Sequence, residues 1–276
     1  MRRCAPQPTP DRLFLTRALT AAVLLAAFLA AVLLLDRAAF AVLVALFVAL
    51  GAHEWGRLAG LGGRYLVAYA AACLILFGLL LGSALVESVL WAAALFWTAA
   101  VPWWLAAGVT SKRRAWLLAA GVTALVPAGL AMTALPPDRL LMILGLIWIS
   151  DTGAYLAGRA CGRRKLAPSI SPGKTWEGVA GGAVGCVIYA IIWAYFDADL
   201  RARVQGVIWI AFLAGTVLLC ALGVVGDLFE SALKRQAGAK DSGKLLPGHG
   251  GVLDRIDSAT ATLPAALLLM QAFGAT

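Results

Sequence analysis

Apolar residues run along this chain in stretches of about 20, separated by short polar breaks. That is the length a helix needs to cross the ~30 Å hydrocarbon core of a bilayer at 1.5 Å per residue. Nine such segments are predicted as spanning helices: 13–35, 38–56, 65–82, 85–106, 115–134, 139–158, 177–196, 205–229 and 253–273. The first is read as a span rather than a signal peptide, because its apolar run is long and no small-x-small cleavage site follows. The longest polar stretches are 159–176 and 230–252. The predicted fold is all-α, a single polytopic membrane domain over 1–276.

Composition agrees. Of the 276 residues, 62% are apolar and 13% charged, with mean hydropathy +0.88. Soluble domains run near ~45–50% apolar and ~25% charged. A soluble chain of this size could not cover so much apolar surface, and disordered chains have the opposite bias. The five cysteines are scattered and form no CxxC, so neither a disulfide framework nor a zinc site is expected. A net charge of +9 would suggest nucleic acid for a soluble protein; here it reads as topology. With the N-terminus in the cytoplasm, only Arg37, Arg139, Arg201 and Arg203 of the 23 Lys and Arg fall outside. Nine spans, N-terminus in and C-terminus out, put both long polar stretches on the cytoplasmic side.

Ionisable residues inside spans are costly, so each is a functional candidate. Asp151 lies roughly 18 Å into segment six, and Asp227 lies near the inner end of segment eight. Asp254 opens segment nine, Glu54 ends segment two and Glu177 opens segment seven, all at one predicted depth. Asp227, Glu230, Ser231 and Lys234 fall at i, i+3, i+4 and i+7, one helix face. Asp254, Asp257 and Ser258 repeat the pattern on segment nine. Two acidic faces at one level offer oxygens to a hard divalent cation such as Mg²⁺. The competing reading is that these acids pair with loop cations and only seal the helix ends.

The loop after segment eight carries Lys234, Arg235, Lys240 and Lys244 and closes with Pro247-Gly248-His249-Gly250-Gly251. Glycines let backbone approach a ligand, and N–H groups with Lys and Arg can cradle phosphates. In the other loop, Gly173-Lys174-Thr175 invites a P-loop reading. That reading fails because Pro168 stands where the first glycine belongs and no strand is expected before it. Thr175 is instead predicted to cap segment seven, with Lys174 beside the positive end of that helix.

These residues resemble one family closely. Ser231-x-x-Lys234-Arg235, then Lys240-Asp241, then Pro247-Gly-His249-Gly-Gly251-x-x-Asp254-Arg255-x-Asp257 is similar to the C-terminal signature of phosphatidate cytidylyltransferases, with no departure. Ser150-Asp-Thr-Gly-Ala-Tyr155 with Gly158-Arg159, and Ser171-Pro-x-Lys174-Thr175-x-Glu177-Gly178, also look like that family. The resemblance implies that CTP and phosphatidate give CDP-diacylglycerol and pyrophosphate with Mg²⁺. It implies a cell (inner) membrane protein whose site faces the cytoplasm. Its partners would be CTP, phosphatidate and membrane lipid, not nucleic acid, and a homodimer is among the assemblies it allows. It implies Asp227, Asp254, Lys234, Arg235, Lys240 and Asp241 as catalytic residues. Ser171, Lys174, Thr175, Glu177, Ser231, His249, Gly250 and Arg255 are implied as substrate-binding, and Asp227, Asp254, Asp257 and Asp151 as metal ligands. Two rivals are a CTP-dependent lipid kinase, which would release CDP, and a transporter, which would keep its site at the bilayer midplane.

Overall fold

In a computed structural model, residues 10–108, 114–243, 245 and 250–274 are described. The elements in order are α1 (Pro10–Leu34), α2 (Arg37–Leu58), α3 (Gly63–Leu80), α4 (Val86–Leu95), α5 (Val101–Ala106), α6 (Arg114–Ala134), α7 (Pro137–Cys161), β1 (Lys165–Ala167), β2 (Ser171–Thr175), α8 (Trp176–Phe196), α9 (Ala198–Arg203), α10 (Ile208–Gln236) and α11 (Leu253–Ala272). One turn of π-helix, Phe96–Ala100, joins α4 to α5. It sits just before Pro102, whose missing N–H breaks the regular ladder. Every predicted apolar segment is helical.

Among the described residues, seven stretches are long and apolar enough to cross a membrane: α2, α3, α4 through α5, α6, α7, α8 and α10. In α1 the stretch Ala22–Leu34 is also apolar. The contents of α11 are more polar, and its surroundings explain why. It packs against α4, α6 and α10, and Ser258, Thr260 and Thr262 are all buried. The Thr260 and Thr262 hydroxyls donate to the carbonyls of Asp257 and Ser258, at 2.6 and 2.8 Å. A helix walled by protein needs less hydrophobicity than one facing lipid.

The all-α expectation holds for the bundle, to which one short hairpin is added. Lys165–Ala167 and Ser171–Thr175 pair as an antiparallel hairpin. The expectation that no strand precedes Gly173-Lys174-Thr175 is therefore wrong, since β1 comes before the triplet and β2 ends with it. The P-loop reading still fails on Pro168.

Helices α7 and α8 pack closely along the hairpin end, through small residues. A Cβ at Gly181 would lie 2.2 Å from the Ala157 Cβ, and one at Gly178 would lie 2.8 Å from the Ala154 carbonyl. Such seams let backbones approach where lipid supplies no hydrophobic drive. On the other flank, Phe229 of α10 is fully buried among Trp55, Phe96, Trp97 and Trp104, with ring centroids 5.4–6.0 Å away. These contacts fix α10 against α2 and the α4–α5 stretch.

At the opposite end, the buried Arg139 of α7 pairs with Asp197 and with Asp199. Asp197 also caps α9, accepting from the Leu200 N–H at 2.9 Å, and accepts from Trp193 Nε1. Burial alone would raise its carboxyl pKa. The Leu200 N–H, Arg139 and Trp193 outweigh that and hold it below the usual carboxylate range.

Candidate active site

Five elements end together: the C-termini of α2, α7 and α10 and the N-termini of α8 and α11. The acids they bring separate into two groups with different partners.

The first group is a clamp. Glu54 of α2 is 5% exposed, yet it accepts from Val252 N–H at 3.1 Å, Leu253 N–H at 2.8 Å and Ser242 Oγ at 2.9 Å. The residue before α11, Val252, cannot cap the helix with its own side chain. A carboxylate from another helix therefore satisfies the orphan N–H groups at the positive end of α11. Asp254 completes the clamp. Its Oδ1 takes Lys234 Nζ at 2.7 Å, and its Oδ2 takes the N–H groups of Gly251 (2.7 Å) and Ser242 (2.9 Å). Ser242 Oγ stands 2.9 Å from that same oxygen. Lys234 Nζ also meets Glu230 at 2.5 Å, so one half-buried ammonium bridges α10 to α11. Arg57 donates to the Ser242 carbonyl.

Glycine is needed here. Gly250 has φ +82, and a Cβ on it would lie 2.6 Å from Asp254 Oδ2. A Cβ on Gly251 would lie 2.3–2.4 Å from both Glu54 oxygens. The glycines expected to open the loop toward a ligand open it, at these two positions, toward carboxylates.

The second group is a patch. Lys174, the penultimate residue of β2, meets Asp227 Oδ2 at 2.6 Å, and Ser231 Oγ donates to Asp227 Oδ1 at 3.3 Å. Asp151 interacts electrostatically with Asp227 and Lys174, and Asp257 with Asp227, Asp151 and Lys174. Asp227 thus pairs directly with Lys174, and Asp151 and Asp257 lie within electrostatic reach of the same ammonium. Asp151 is exposed, and Asp227 and Asp257 are half-buried. Asp257 is brought in by close packing: a Cβ on Gly226 of α10 would lie 2.6 Å from its carbonyl oxygen. Among the described residues, no three Asp, Glu, His or Cys close into one coordination sphere. The donor chemistry nevertheless suits a hard cation: all-oxygen donors, an excess of negative charge, and access from outside. Asp254 differs, because both of its oxygens already accept from protein donors.

The remaining candidates frame the patch. Thr175 caps α8, its Oγ1 accepting from Gly178 N–H at 3.1 Å. Glu177 accepts from the N–H groups of Arg163 and Arg164 at 3.0 and 3.1 Å, which pins the start of the hairpin. Ser171 opens β2 and is half-buried. Arg235 is exposed and donates to the carbonyls of Ile170 in the hairpin turn and Ala239. Lys240 and Asp241 are exposed at the mouth, as is Arg255 one turn into α11. His249 lies outside the described residues, with Lys244 and Pro247. Glu54 was legible as an acid at the right depth but without a role; Ser242 and Arg57 carried no signal.

This is a polytopic membrane protein with an acidic patch and flanking cations gathered at one end of its bundle. Residues 15–273 match the cytidylyltransferase family, and the chain belongs to it. A phosphatidate cytidylyltransferase of Pseudomonas aeruginosa is 42% identical over 94% of this chain and 98% of its own length. Those of Haemophilus influenzae (49%) and Staphylococcus haemolyticus (46%) match over 45% of the chain, covering 43% and 46% of their own lengths.

Proposed function

We propose that this protein transfers the cytidylyl group of CTP to phosphatidate, giving CDP-diacylglycerol and pyrophosphate. It is a nucleotidyltransferase of phospholipid synthesis and a multi-pass membrane protein. We further infer nine spans with the N-terminus cytoplasmic. The charge asymmetry supports this, and the protein-walled position of α11 accounts for its polarity. The site then faces the cytoplasm, where CTP is, at the level of the inner leaflet, where phosphatidate is. The bacterial relatives support placement in the cell (inner) membrane.

In the reaction, a phosphate oxygen of phosphatidate forms a bond to the α-phosphorus of CTP. The α–β phosphoanhydride bond breaks, and its electron pair leaves on pyrophosphate. The attacking monoester has a second pKa near ~6 and is largely dianionic at neutral pH, so no strong general base is required. Positioning and charge stabilisation carry the chemistry. Lys174 holds a full positive charge at the patch where two anions must meet. Arg235 in the last turn of α10 and Lys240 on the loop that follows, both exposed, steer and hold the triphosphate. Thr175 and Glu177 fix the hairpin that presents Lys174. Asp227, Asp257 and Asp151 would hold Mg²⁺, which supplies charge neutralisation between the two anionic substrates. Asp254 and Lys234 act one step back, by setting where α11 begins and so where Asp257 lies.

The observation that carries this reading is the meeting of Asp151, Lys174, Asp227 and Asp257 from four separate elements; Asp151, Lys174 and Asp257 each lie within a stretch that resembles the family's motifs, and Asp227 lies one turn before Ser231, where the C-terminal stretch opens. The test is purified protein in detergent with CTP, phosphatidate and Mg²⁺. Equimolar pyrophosphate and CDP-diacylglycerol are expected. Release of CDP without pyrophosphate would indicate kinase chemistry instead, and no turnover would refute both.

A further inference from the structure

A groove of about 380 Å³ runs beside the site, walled by α1, α2, α6, α7 and α11. Leu25, Phe28, Val48, Met132, Trp148 and Leu263 represent its lining, in which Arg255 is the one charged side chain among the described residues. Its volume falls within the ~300–1,000 Å³ of ordinary ligand pockets. Along α11 the lining extends from Val252 to Leu263. At 1.5 Å per residue that is about 16 Å, the depth of one leaflet of a ~30 Å hydrocarbon core. The charged end is the end at the site. On α7, Leu144 and Trp148 line the groove, and Asp151 follows Trp148 by one turn on the same side of the helix.

From this we propose that the groove takes an acyl chain of the phospholipid substrate, with the lipid phosphate at the Arg255 end, next to the acidic patch. The inference rests on the reaction proposed above. Three features favour a lipid over a second copy of the chain: one-leaflet depth, an apolar wall with a cation at its mouth, and continuity with the reacting centre. The groove holds the lipid at fixed depth, so its phosphate arrives at the level of Lys174 and Asp227. Long-chain substrate then gains binding that a short-chain analogue lacks.

The test uses Ala259→Phe near the mouth and Met132→Trp deeper in, each made in the full chain and checked for melting temperature. Kinetics compare dioleoyl phosphatidate with water-soluble dihexanoyl phosphatidate. Ala259→Phe should raise KM for the dioleoyl substrate about tenfold, the equivalent of two methylenes kept out of the groove. It should leave KM for CTP and for the dihexanoyl substrate within about twofold. Met132→Trp should act in the same sense and more weakly; it carries the kinetic test if Ala259→Phe fails to fold. A second arm needs no turnover: phosphatidate bearing a diazirine on one acyl chain is cross-linked without CTP. Label is expected on the α1, α6 and α11 residues that line the groove, and an ethanolamine phospholipid probe should label them far less. Equal effects on both chain lengths, no effect on either, label elsewhere, or equal labelling by both probes would each overturn the proposal. A wild-type protein that turns over neither substrate would refute the reaction, while the labelling would still decide whether the groove holds phosphatidate.

Discussion

Two acidic groups stand at the same end of this bundle, and they differ in who answers their charge. Glu54 and Asp254 receive backbone N–H groups from 242 and 251–253, the Ser242 hydroxyl and Lys234. Of Asp151, Asp227 and Asp257, Asp227 pairs with Lys174 and the other two lie within its electrostatic reach. The first arrangement leaves little room for a ligand and holds two helices together. The second leaves excess negative charge near the surface, which a fold alone would not select. Depth and residue type are alike in the two; saturation by internal donors separates them.

The sharpest way to break this contrast is to remove charge from the patch. Asp227→Asn and Asp257→Asn should each lower kcat by ~10²–10³ or more, the scale of losing an electrostatic stabiliser, with melting temperature almost unchanged. Turnover near wild type at limiting Mg²⁺ would place the centre elsewhere. The clamp should respond in the opposite way. Glu54→Gln turns an amide NH₂ toward groups that already donate, so it should lose about 2–3 kcal/mol of stability. It should lower the melting temperature in detergent more than it lowers the specific activity of the folded fraction. Lys240 tests the mouth: Lys240→Ala should cut kcat/KM for CTP about tenfold, the weak end of a charge-assisted bond, with a smaller effect on phosphatidate. Equal losses for both substrates would reassign it.

The smallest effect belongs to the far end of the bundle. Asp197→Asn should leave kcat intact and lower the melting temperature at pH 7. A carboxyl held below its ordinary range stabilises the fold above that range and loses the contribution as pH falls through its lowered value. The gap between wild type and Asp197→Asn should therefore be steady from pH 7 to about 5 and shrink below about 4. A gap that widens in acid would contradict the pairing with Arg139.

Much of this was written in hydropathy. Helix α7 extends the predicted 139–158 to Pro137–Cys161, and α10 continues past 229 to Gln236, carrying Glu230, Ser231 and Lys234 on the spaced face that was anticipated. The hairpin was not legible. Residues 165–175 hold Pro168 and Pro172 and no alternation, and Glu177 steadies the hairpin by accepting from the N–H groups of Arg163 and Arg164. The shared level of the acids could be read from spacing, but their division could not. Glu54 meets its partners 188 to 199 positions away, so its role depends on how α2 docks against α11. Of the two initial readings of the acids, sealed helix ends describes the clamp, while the cation site is what we propose for the patch.

The most direct measurement is Mg²⁺-dependent thermal stabilisation of the apo-protein in detergent, read without substrate for wild type, Asp227→Asn and Asp254→Asn. A ligand that binds the folded state raises its melting temperature with concentration. Wild type should show that rise. Asp254→Asn should start lower and keep the rise, because it loosens the clamp and spares the patch. Asp227→Asn should start near wild type and lose it. A rise retained by Asp227→Asn and abolished in Asp254→Asn would contradict the division of the acids into patch and clamp.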